Sequence, residues 1–123
     1  MAYDEFLADR ARQILRSEHI AFEEKKMMGG LCFMVNEKMC FGLDMDKNNN
    51  SSRLMCRVGG DNYEKLLAQP HCKPMDFTGR AMRGYVFVSS EGLDTDEQLA
   101  FWIRQCLLFN PEATRSRKKP KKN

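Results

Sequence analysis

Imidazole is scarce in this chain: its 123 residues include two histidines, His19 and His71, alongside one tryptophan and four prolines. Neither histidine belongs to a nucleophile motif, no P-loop is present, and Gly29-Gly30 lacks the spacing of a dinucleotide turn. His71 adjoins Cys72, but neighbouring side chains seldom orient toward each other as a base and nucleophile must. The acids fall mostly at helix starts and in loops, where capping and solvent account for them. No catalytic residue is assigned, and the expectation is a protein that is not an enzyme. Also missing is any apolar run near the ~20 residues that span a bilayer. Met1 to Arg16 is too charged and amphipathic for a secretory signal, so a cytoplasmic protein without a membrane partner is expected.

Metal-site spacing is absent as well. Cys32, Cys40, Cys56, Cys72 and Cys106 are odd in number and include no Cys-x-x-Cys pair, and their gaps match no zinc ribbon or finger. In a reducing compartment such thiols act as small buried hydrophobes. No metal, cofactor or disulfide is expected.

What is present is an ordinary globular balance, 42% hydrophobic and 30% charged. One domain of this length buries roughly two thirds of its unfolded surface. The formal charge of +3 divides unevenly. Arg115, Arg117, Lys118, Lys119, Lys121 and Lys122 bring six cations with no acid among them, leaving 14 basic and 17 acidic residues in 1–114. Residues 1–110 thus read as the domain and 111–123 as a disordered basic tail. The body has no positive excess with which to build a nucleic-acid face. The tail is either a solubilising end or a weak, salt-sensitive attractor for DNA, RNA or anionic lipid.

Leu31, Phe33 and Val35 alternate with Cys32 and Met34, Asn36-Glu37 interrupts, and Met39, Cys40 and Phe41 resume the apolar run. Period-two patterning broken by two polar residues predicts an antiparallel hairpin. Glu37 stands where a type I′ turn favours glycine, which implies either strain or a longer loop. With a two-residue turn, Cys40 sits opposite Phe33 and Cys32 opposite Phe41, placing the two thiols on opposite sheet faces. Gly29-Gly30 bends an earlier strand, about 22–27, into the hairpin. A fourth strand follows at 53–58 and a fifth at 84–88, with KNNNSS at 47–52 as a flexible loop.

Phe6, Leu7, Ala11, Ile14 and Leu15 recur at helical spacing between Asp4 and Ser17. Asp61 offers a cap for a two-turn helix carrying Tyr63, Leu66 and Leu67. Asp94 and Glu97 have capping-box spacing before Leu99, Trp102, Ile103, Cys106 and Leu107. The order α-β-β-β-β-α-β-α predicts an α+β, two-layer fold, an antiparallel sheet of about five strands with helices packed against it.

The stretch EKKMMGGLCFMVNEKMCFGL at 24–43, with MCRV at 55–58 and PMDFTGRAMRGYVFV at 74–88, resembles the N-terminal domain of the TfoX/Sxy competence regulators. The resemblance runs from about Tyr3 to Phe109 and implies the same two-layer fold. It further implies a regulatory role, since the full-length family members promote transcription of DNA-uptake genes together with the cyclic-AMP receptor protein. Those regulators carry a second domain of helix-hairpin-helix character, where this sequence has a short basic tail.

Two surfaces are candidates for contact. In the simple hairpin register Cys32, Met34, Met39 and Phe41 share one sheet face while Leu31, Phe33 and Cys40 share the other. Both faces are then apolar, so either the chain covers the second face itself or another molecule does. Met34, Met39 and Phe41 are the residues proposed there, methionine being suited to an adaptable surface. The second surface is the segment 70–84, read as a long loop. In it Asp76, Phe77, Arg80 and Arg83 either form a contact site, the guanidinium forks meeting carboxylate or phosphate, or pack internally. The implied partner is a second copy or a regulatory protein, the alternative being nucleic acid held by the tail and the loop arginines.

Overall fold

The computed structural model describes residues 3–27, 29–76 and 81–113. In chain order the elements are α1 (Glu5–Ser17), β1 (Glu23–Met27), β2 (Gly30–Val35), β3 (Lys38–Asp46), β4 (Ser51–Arg57), α2 (Tyr63–Leu67), β5 (Cys72–Asp76), β6 (Ala81–Ser89) and α3 (Asp96–Phe109). One six-stranded antiparallel sheet has the order β1-β2-β3-β4-β6-β5. The expected α+β fold and element order are found. The sixth strand, β5, lies inside the segment read as a loop, where Pro74 and few apolar residues mask its pattern. Pro74 is tolerated because β5 is an edge strand, one side of which has no ladder to complete.

Local chemistry explains the helix ends. Asp4 caps α1, its carboxylate accepting from the Phe6 amide at 2.9 Å. Leu7, Ala8, Ala11 and Leu15 bury the inner stripe, whereas Phe6, read as part of it, is 72% exposed on the outer side. At the other end Ile20 N donates to Leu15 O (2.9 Å) and His19 N to Arg16 O (3.0 Å). This is a Schellman closure with His19 in the left-handed position, φ +61°. The capping box of α3 forms one residue later than Asp94 and Glu97 suggest. Thr95 Oγ1 accepts from Gln98 N at 3.0 Å, and Gln98 Oε1 accepts from Thr95 N at 2.9 Å. Asp94 is occupied in closing the 3-10 turn Ser90–Leu93, its backbone still helical at φ −62°, ψ −44°. For α2 the N-cap is Asn62 rather than Asp61, and its side chain makes no capping bond.

The central hairpin departs from the simple register at one residue. Asn36 (φ +56°) and Glu37 (φ +65°) form a two-residue turn with Val35 opposite Lys38 and Met34 opposite Met39. The register then slips, and Phe33 faces Phe41 instead of Cys40. Cys40 is the extra residue of a β-bulge, which lets two consecutive side chains, Cys40 and Phe41, enter the same core. The Phe33 and Phe41 rings stack with centroids 4.7 Å apart. The strained turn is anchored from outside: Asn36 Nδ2 donates to Asn110 Oδ1 (2.9 Å), Asn110 Nδ2 to Val35 O (3.1 Å), and Lys38 Nζ to Asn110 O (3.1 Å).

The main core lies between the sheet and the helices, where Leu15, Phe33, Phe41, Leu54, Val86, Val88, Leu99 and Ile103 are fully buried. At the start of β2, a Cβ on Gly30 would collide with the Leu43 carbonyl oxygen, so only glycine permits this close approach to β3.

Candidate interaction surface

Strand alternation sends a second set of side chains to the sheet face away from this core. Cys32, Met34, Met55, Met75 and Phe87 form a separate buried cluster, with Met39 and Tyr85 half-buried at its margin. The expectation of two apolar faces is correct, but most of the second is already withdrawn from solvent within the chain.

Charged groups frame this cluster. The Arg53 guanidinium lies 3.6 Å from the Phe87 ring centroid and bonds both Asp44 oxygens, at 2.8 and 3.2 Å. A charge stacked on a ring and forked onto a carboxylate is fixed in orientation. Asp46 stands 3.9 Å from Arg53 and 3.7 Å from Lys73. The Asn48 backbone N–H holds the Asp46 carboxyl below its usual range, against the opposing effect of burial and with help from Arg53 and Lys73. Arg57 donates to Met39 O at 3.3 Å and lies 5.7 Å from the Tyr85 ring centroid.

The proposed contact residues separate into four groups. Met34 is buried at 6% exposure and Met39 is half-buried, so of these two it is Met39 that offers surface on that face. Phe41 is a correction: the bulge turns it to the helix side, where it is fully buried and unavailable to a partner. Asp76 and Arg83 are exposed. Arg83 does not pair with Asp76; it meets Glu64 of α2 at 3.2 Å, donates to Gly60 O at 3.1 Å and lies 5.3 Å from the Tyr63 ring centroid. Phe77, Arg80 and the tail cations Arg115, Arg117, Lys118, Lys119, Lys121 and Lys122 lie outside the described residues. Sequence patterning missed Met82 and Leu108 as surface groups, 42% and 68% exposed. Leu108 could have been found, since it falls off the stripe formed by Leu99, Trp102, Ile103 and Cys106.

Cys32 and Cys40 occupy opposite sides of the sheet as expected, and the bulge changes the side of Phe41, not of Cys40. Cys40, Cys56 and Cys106 lie in the helix-side core, and burial drives the Cys106 thiol upward, reinforced by its hydrogen bond with Cys56. Among the described residues no group of three or more His, Cys, Asp or Glu side chains is placed to hold a metal ion. Both histidines are used by the backbone. His19 closes α1, and His71, at φ +66°, accepts from Ser89 N through its carbonyl at 2.9 Å. No described helix is long and apolar enough to cross a membrane.

The family model described as the TfoX N-terminal domain matches residues 15–109, from the second half of α1 to the end of α3. No curated protein matches the chain.

Proposed function

The chain belongs to the TfoX N-terminal domain family, and from that premise we propose that it is a non-enzymatic regulatory module working by protein–protein association. The observation that carries this reading is the surface at the β5–β6 end. There Met82 and Asp76 are exposed, and Arg83, also exposed, has its guanidinium oriented by Glu64, Gly60 and the Tyr63 ring. Exposed methionine and oriented arginine are side chains of the kinds enriched at protein interfaces. The competence-regulator likeness supports a place in transcriptional control, acting through a protein partner or a second copy.

A second reading is favoured by the tail alone: six cations without an intervening acid attract polyanions. Fluorescence anisotropy with duplex DNA across a salt series, comparing the whole chain with a version ending at Thr114, separates the two. Association as the function predicts that the shortened protein binds no DNA and keeps its protein contacts. Binding that survives the truncation would overturn it and make the folded body a nucleic-acid reader. Loss of all activity on truncation, with a log-log salt slope of about −0.9 per phosphate contacted, would favour the tail.

A further inference from the structure

We propose that β1 is a self-pairing edge through which two copies join their sheets antiparallel about a two-fold axis at Glu24. This rests on the association reading above and gives one of its partners a place. The sheet has two edges, and they differ. β5 is blunted by Pro74, which cannot donate, and by a register shift between Pro74 and Asp76. β1 has no proline, pairs with β2 without a shift from Glu23 to Met27, and is exposed at all five residues. Among the described residues no strand pairs with its outer side, whose backbone groups form a template for another strand.

Charges normally discourage edge pairing, but those of β1 are self-complementary. A two-fold axis perpendicular to the sheet pairs only residues of the same face, which leaves two central registers. One, centred on Lys25, sets Glu24 opposite Lys26 of the second copy but Lys25 against its own copy, and no ion pair that would offset this Lys25 charge is found among the described residues. The other, centred on Glu24, places Glu23 opposite Lys25 of the second copy and Lys25 opposite its Glu23. The like pair at the axis is then Glu24 with Glu24, each already held by Arg12 at 2.7 and 3.0 Å. That register compensates every charge at the centre of the junction, so it is the one assigned. Opposite charges facing across an antiparallel pair stabilise it and like charges destabilise it.

The test is a charge swap in the full chain, read as mass by light scattering over a concentration series at low salt. The parent protein should approach a dimer as concentration rises. Glu23→Lys sets lysine against lysine twice per dimer, and Lys25→Glu sets glutamate against glutamate twice; each should raise the dimer dissociation constant by about tenfold or more. An equimolar mixture of the two variants should recover the parent's association, because both cross-strand pairs become opposite in sign. Both residues are exposed on an edge strand, and an unchanged circular dichroism melt confirms that each variant stays folded. A parent that remains monomeric at every concentration overturns the proposal. A dimer indifferent to both substitutions also overturns it, while leaving the association reading intact and pointing to another surface.

Discussion

Replacing Phe41 by alanine should destabilise this protein rather than strip it of a partner. Phe41 is fully buried and stacked on Phe33 at 4.7 Å with an interplanar angle of 14°. Truncating a buried phenylalanine costs about 3–5 kcal/mol from lost transfer energy and the cavity left behind. The ring stack, about 0.5–1.5 kcal/mol beyond area burial, places the cost toward the upper end of that range. A domain of this size holds only about 5–15 kcal/mol in total. With a urea slope near 2 kcal/mol/M, a loss of about 4 kcal/mol lowers the unfolding midpoint by about 2 M. Equilibrium urea unfolding followed by far-ultraviolet circular dichroism is the assay, with Met39→Ala as the control. Met39 is half-buried at the margin of the other cluster, and its truncation should move the midpoint by less than half as much. A Phe41→Ala midpoint within about 0.5 M of the parent would refute the bulged register and return Phe41 to the second face.

Three further outcomes follow from named contacts. His19→Gly should stabilise the chain by about 1 kcal/mol, since the left-handed position at φ +61° costs an L-residue about that much; a lower thermal midpoint would contradict the Schellman closure. Cys72, half-buried with its thiol pushed up to about 11, should react at pH 8 about one hundred-fold more slowly than an ordinary thiol. It should still label before the buried Cys106, as read by peptide mass after alkylation of the native protein. Asp46 ionises more easily folded than unfolded, so its stabilisation is complete above the ordinary carboxylate range and fades as pH falls through the depressed value. Asp46→Asn should therefore flatten the acid side of the stability–pH curve, and an unchanged slope would remove the Asn48 and Arg53 contacts from the account.

Much of the fold was legible because hydrophobic period and punctuation agree along most of the chain. Asp4 to Ser17, the Asn36-Glu37 turn and the 99–107 stripe each carry a pattern that only one element satisfies. What was hidden has identifiable causes. The Cys40 bulge leaves no mark in an apolar run, since cysteine and phenylalanine are equally acceptable on either face, yet it decides the orientation of Phe41. β5 was hidden because an edge strand containing Pro74 needs neither alternation nor a full set of donors. The α3 cap moved one residue because Asp94 had a second task in the preceding turn. Of the candidate surface, the alternation indicated the second apolar face, but not that the chain buries most of it. That burial depends on long-range placement of Met55, Met75 and Phe87 from three strands, which local pattern does not encode.

The central claim, a module that acts by association through its folded body, is tested most directly by the mass of the version ending at Thr114 over a concentration series, beside its anisotropy with duplex DNA at physiological salt. The account predicts concentration-dependent association that survives removal of the tail, with no DNA binding. A shortened protein that is monomeric throughout and still binds DNA would contradict it.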